Sequence, residues 1–346
     1  MNALKVGPID IIFHRTVRVK EGQISDLPPS LGSIGFYSVK EFRKTCPESW
    51  DNNAIFIPLH EREAIWLAFN NPGVPVALLV GAGGINALTG EKLGLTLEKE
   101  NYLVAPPQPW LDGWKGEDGT VYQFVATEHK KGEGLTVSEQ LIGKESKTGG
   151  IGIAVFEAKN PRELEKVLKP KENVYGLCSF SAPAGGFEGY DDAITTSACC
   201  EDESTLDYDC EYETVACQPV LKGLTRGMTT KSVRRRGQHT NKAAEMGVGK
   251  GGKIFQKIYP DPTDYGIETW KAEPSAAVAV YLVNAVQFTE ITGMPMPPLP
   301  KSAEDYIGTW YGLQDDKYED VSGSDKFTGL KDVFGQQDEV EAAKKS

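Results

Sequence analysis

The sequence predicts a mainly β protein: a β-sandwich-like single domain with a few short helices and an acidic, cysteine-rich insertion. Three observations carry that expectation. Short apolar runs rich in Val, Ile, Phe and Tyr recur along the chain, and such residues suit a pleated, half-buried surface. Gly and Pro, 37 and 21 of the 346 residues, break these runs at short intervals, as turn residues do. No strand-helix-strand rhythm is visible, which argues against a parallel α/β sheet.

From the N-terminus, Ile9 to Val19 is β-rich and Asp26 to Gly32, with Pro28 and Pro29, reads as a loop. Phe36 to Arg43 suggests a short helix stopped by Cys46 and Pro47. Asn53 to Phe69 reads as a strand running into a short helix or a second strand, and Val74 to Val80 as a strand ending at Gly81. The stretch Ala64 to Gly90 is uncharged and long enough to span a bilayer. Its prolines and glycines make a buried strand pair with turns the better reading. Tyr102 to Ala105 ends at Pro106, Pro107 and Pro109, and Tyr122 to Thr127 and Ile151 to Phe156 are further strands. Leu135 to Ile142 is expected to pair with the last of these.

Pro161 to Leu168 reads as a helix, with Asn160 as N-cap and Pro at the first helical position, where its missing N–H is harmless. Lys253 to Tyr259 is a strand, and the Val-rich Ala276 to Phe288 a long central one. Met294 to Pro300 breaks regular structure, and Ser302 caps a short helix to Trp310. The resulting division is a β core over residues 1–300, containing an acidic cysteine-rich insertion at 179–221 and a basic, glycine-rich segment at 222–257. Residues 301–346 form a C-terminal helical segment and polar tail.

A hydrophobic fraction of 40% is ordinary for a globular chain. The net charge of −12 disfavours nucleic acid and anionic membrane as partners, since phosphate-rich surfaces want a basic face. That charge is unevenly distributed. Glu172 to Leu221 holds no Lys, Arg or His and carries −11, whereas Lys222 to Lys257 carries +9. Met1 to Lys20 lacks the apolar run and small-residue cleavage site of a secretory signal, so a cytoplasmic location is the default expectation.

The six cysteines are Cys46, Cys178, Cys199, Cys200, Cys210 and Cys217. Four crowd into the acidic window without a Cys-x-x-Cys pair, and the nearest histidine is His239. A zinc site is therefore not expected. Disulfides in an oxidising compartment and reduced thiols in a surface loop both remain open, and all six cysteines are candidates for the former. Adjacent Cys199 and Cys200 would need at least one distant partner, because a bridge between neighbours distorts the peptide.

No motif of a catalytic type is complete. Val80 to Asn86 imitates a dinucleotide fingerprint, but Asn86 replaces the third glycine and no helix follows; turn glycines are the expected reading. His60 and Glu61 open like a zincin helix, yet Ala64 stands where the second histidine is required. No catalytic residue, metal or cofactor is assigned. In Asp207 to Glu213 the carboxylates alternate, so a strand would place Asp207, Asp209, Glu211 and Glu213 on one face. Such a row repels itself and needs water, a cation or a basic partner. Arg234, Arg235 and Arg236 offer the opposite charge, flanked by glycines at 247, 249, 251 and 252 expected to be flexible or tightly turned. Oppositely charged strips on one chain suit an internal pairing or a contact between copies.

Several segments together carry a resemblance: Ala54 to Phe69, Val80 to Gly90, Tyr102 to Gly113, Tyr122 to Ala126, Glu245 to Pro260 and Tyr306 to Gly312. They resemble the octin family, which comprises bacterial proteins and a fungal member that forms octahedral vacuolar crystals, dense bodies used by pin moulds in gravity sensing. The likeness spans most of the chain except residues 179–218. It implies a protein that assembles with itself, cross-linked through cysteines, in a vacuole. The expected partner is another copy. Two alternatives stand beside it. One is an enzyme or small-ligand binder with a pocket built by the Gly81 to Gly84 turn and the Pro106 to Trp114 loop, lined by Trp110 and Trp114. The other is calcium or polyanion binding by the charged windows.

Overall fold

The structure, a computed structural model, describes residues 3–19, 22–70, 73–117, 119–128, 136–143, 150–162, 164, 246–298 and 319–333. The chain divides into two units, Met1–Lys169 with Val215–Ser346, and Pro170–Thr214. Every described residue belongs to the first.

The chain opens with strands β1 (Ala3–Val6), β2 (Ile9–Thr16), β3 (Ile24–Ser25), β4 (Ser30–Ser33), β5 (Tyr37–Ser38) and β6 (Ile55–Pro58). There follow β7 (Ala64–Asn70), β8 (Val76–Ala82), β9 (Ile85–Asn86), β10 (Leu103–Ala105), β11 (Trp110–Leu111), β12 (Gly113–Lys115) and β13 (Thr120–Glu128). Helix α1 (Val137–Ile142) precedes β14 (Ile151–Glu157), and β15 (Met246–Phe255) and β16 (Ala276–Val283) lead into α2 (Ala285–Thr292). The main ladder runs β1-β2-β7-β13-β15-β16-β14-β8-β10. Pairings are antiparallel except β3 with β15 and β6 with β16.

The mainly β expectation holds, and the two-layer packing comes from one continuous sheet folding over itself. Ile9, Ile11 and Phe13 of β2 and Ile65, Leu67 and Phe69 of β7 share one core with Val76, Leu78 and Val80 of β8, Ile153 and Val155 of β14, and Val278 and Val280 of β16. The β1–β2 turn closes over it, since a Cβ built on Gly7 would lie 3.3 Å from that of Ala276. The alternate residues are buried as well. Ala77 and Leu79 meet Ala154, Phe156, Ala277, Leu93 and Trp270 in a second cluster. Ala279 and Val283 meet Phe56, Trp50, Phe288 and Ile291 in a third. Strands covered on both faces read as continuous apolar runs rather than alternating ones, and VALLVGA in β8 is such a run.

Local chemistry explains where the expected elements fail. Residues 136–142 do not form a strand. Thr136 and Glu139 make a reciprocal capping box, which satisfies two orphan N–H groups and starts α1. Ala276 to Phe288 is not one long strand: β16 stops at Val283, and the Asn284 side chain accepts from Gln287 N and caps α2, which Gly293 ends at φ 73°. Phe36 to Arg43, expected as a short helix, gives the two-residue strand β5 and turns instead. The strands of Ala64 to Gly90 are present as β7 and β8, but β7 pairs with β2, β11 and β13, and β8 with β9, β10 and β14. Residues 161, 162 and 164 are helical, as expected; Ser302 to Trp310 lies outside the described residues.

The glycine-rich segment is the largest revision. Gly247, Gly249, Gly251 and Gly252 lie in the ten-residue strand β15 at the centre of the ladder, against β13. The long connection that precedes it leaves β14 near the Ala276 end of β16 and returns with Met246 opposite Leu282, at the other end.

Candidate functional site

Where β15 passes β13 the register slips. Tyr122 pairs with Lys253, but Phe124 pairs with Lys250. One residue of β13, Gln123, therefore faces two of β15, Gly251 and Gly252, which is a β-bulge. Glycine is required there, because a Cβ on Gly251 would lie 2.6 Å from Val125 Cγ2 and 3.0 Å from Gln123 Cβ. The slip has a chemical result. Residues three apart on a regular strand point to opposite faces; the extra residue restores parity, so Lys250 and Lys253 both reach Tyr122. Their Nζ atoms lie 4.4 Å and 5.1 Å from its ring centroid.

The cleft above this floor encloses about 420 Å³ and is also lined by Gln23, Ile24, Thr328 and Asp332. Lys250 is buried, and its ammonium donates to the carbonyls of Phe327 (3.1 Å) and Leu330 (2.6 Å), tying the C-terminal segment onto β15. Burial, reinforced by the neighbouring Lys253 charge, pulls its pKa down to about 8. Lys253 is half-buried and makes no salt bridge or side-chain hydrogen bond among the described residues. With Asp332 as the one carboxylate in the lining among the described residues, these side chains make the cleft net positive.

The other buried charges hold the fold together. Arg15 pairs with Glu63 beneath the β6–β7 connection and donates to Pro58 O. Lys115 Nζ meets Asp320 Oδ2 at 2.5 Å, and Asp320 Oδ1 accepts from Ile258 N at 2.7 Å. Asp261 accepts from Tyr102 Oη (2.6 Å) and Trp270 Nε1 (2.8 Å). One group is unlike these: among the described residues neither carboxyl oxygen of the fully buried Asp112 nor the indole N–H of Trp110 makes a well-formed hydrogen bond, and the indole favours the ionised carboxyl only weakly. His14, stacked on Trp66 with ring centroids 4.1 Å apart, is pulled down to about 4 by burial.

The residues singled out in the sequence fare unevenly. Cys178, Cys199, Cys200, Cys210 and Cys217, the strip Asp207, Asp209, Glu211 and Glu213, and Arg234, Arg235 and Arg236 all lie outside the described residues. Cys46 is described and is unpaired among the described residues, which include no second cysteine. It packs against Trp50, Phe56 and Phe288, and burial, partly offset by Arg43, pushes its pKa up to about 11. A thiol so placed reacts slowly.

Val80 to Asn86 is a hairpin: Gly83 and Gly84 take φ of 58° and 79° between β8 and β9, the type I′ geometry glycine permits. Asn86 Oδ1 accepts from the amides of Leu88 and Thr89 and shapes the next turn. Of the two tryptophans expected to line a pocket, Trp110 is partly buried and Trp114 is a core residue. Trp114 is fully buried against Phe124 and Phe327, its Nε1 donating to Gly249 O. His60 bonds to Pro297 O as a structural group. The lysines of β15 counted in the sequence only as charge; glycines flanked by Lys inside a strand were the available signal for a bulge.

The fold and cleft thus define a mainly β protein with a small cationic recess. No protein-family model, curated protein or solved structure matches the chain. Among the described residues no three His, Cys, Asp or Glu side chains are grouped to hold a metal ion, and no helix is long and apolar enough to cross a membrane.

Proposed function

We propose that the chain is a structural protein that assembles with itself into an ordered body, its copies held in register by opposite-charge contacts and cross-linked through Cys178, Cys199, Cys200, Cys210 and Cys217. The observation that carries this reading is the adjacency of a −11 window and a +9 window, most of both falling in the connection between β14 and β15. Exposed ion pairs add little stability, but they fix orientation and register between copies. The resemblance to the octin family points the same way and sets the assembly in a vacuolar body, as in fungal gravity sensing.

Reversing the basic cluster tests this reading. A chain carrying R234E, R235E and R236E should need at least tenfold more protein to assemble at low salt than the unaltered chain, measured by static light scattering. Equal scattering curves for the two would overturn it.

A further inference from the structure

We infer that the cleft at the β15 bulge is a binding site for a small oxyanion, a molecule bearing a carboxylate or phosphate group. The inference does not rest on self-assembly. Four features of the cleft converge on it. The Gly251–Gly252 bulge brings two ammonium groups to one side of the strand, and bulges commonly re-aim side chains at functional sites. Tyr122 lies under both and holds them by cation–π contact. The two lysines nonetheless repel each other, and an anion between them would relieve that repulsion. Finally, Lys253 has an ammonium engaged by no carboxylate or carbonyl among the described residues, in a recess of about 420 Å³, within the size range of small-molecule sites.

The roles within the site differ. Lys250 has two of its three N–H donors committed to Phe327 O and Leu330 O, so it contributes charge and one remaining donor. Lys253 is the principal contact, with no donor committed to an oxygen among the described residues. Gln23 and Thr328 add neutral polar groups at the wall, and Asp332 sets a limit on the charge the site accepts. Two lysines against one aspartate favour a mono- or dianion over a polyanion. Half-exposed Ile24 at the edge offers apolar contact to the remainder of the ligand.

The test titrates the full chain with inorganic phosphate and, separately, with succinate, each against sodium chloride at matched ionic strength, by isothermal calorimetry. Binding of either anion above the chloride control is expected, and the two arms show which oxyanion is taken. K253M should weaken that binding at least tenfold while K253R retains it within about threefold. On the unaltered chain, the bound anion should slow acetylation of Lys253 by acetic anhydride relative to chloride. This arm reads the site even if K253M fails to fold. No binding beyond chloride by both anions, or binding unchanged in K253M with no protection of Lys253, would overturn the inference.

Discussion

Replacing Glu63 by Gln should cost the fold about 3–5 kcal/mol, the usual effect of stripping one partner from a buried ion pair. Glu63 accepts from the Arg15 guanidinium through one oxygen and from the His60 amide, at 2.8 Å, through the other. Both side chains are almost wholly excluded from water, at 9% and 4% exposure. Glutamine preserves the shape and one acceptor but leaves a buried guanidinium without its counter-charge. Urea unfolding should show the loss, and the double variant R15M/E63L should recover most of it, because two apolar groups of similar volume leave no charge stranded. A loss below about 1 kcal/mol in E63Q would mean that water reaches Arg15.

Asp112→Asn should act in the opposite direction and stabilise the protein at neutral pH. Burial drives the Asp112 carboxyl well above its ordinary value of 3.8, with the Trp110 indole opposing this less strongly. Below pH 4 the carboxyl is protonated in both folded and unfolded chains and costs nothing through ionisation. As pH rises past that value the unfolded chain releases its proton and the folded one holds it. Stability then falls by about 1.4 kcal/mol per pH unit until the folded carboxyl itself ionises. An asparagine has no proton to release. D112N and the unaltered chain should therefore melt together near pH 3.5 and diverge toward pH 7, with the variant the more stable. Parallel melting curves across that range would show that the carboxyl is solvated or partnered in solution.

These two sites show where sequence reasoning reached and where it stopped. Strands were legible where local composition and burial agree, as in IDIIFHRT of β2 and VALLVGA of β8. The hairpin at Gly83–Gly84 was legible because only glycine takes both left-handed positions freely. The Thr136–Glu139 box and the Asn284 cap were written in the sequence too, but β-branched neighbours outweighed them in the reading. The part of β15 before Lys253 was hidden for a different reason. Gly251 is set by the close approach of Val125 and Gln123 on a strand more than a hundred residues away in sequence, and no local pattern encodes that contact. The same distance concealed the cleft, since Lys250 and Lys253 meet Tyr122 only through the slipped register. Arg15 with Glu63 and Lys115 with Asp320 pair across 48 and 205 residues and were likewise invisible one residue at a time. Charge was the converse case: the −11 and +9 windows are wholly a sequence observation, and they carry the functional reading without structural help.

Sedimentation velocity of the purified full chain, run across a sodium chloride series under oxidising and then reducing conditions, tests self-assembly most directly. Large species are expected at low salt in oxidant, with fewer than six titratable thiols and Cys46 unreacted until the protein is unfolded. Salt and reductant together should disperse them, since screening removes the charge contacts and reduction the cross-links. A single monomeric boundary under every condition, with six free thiols on unfolding, would contradict the account.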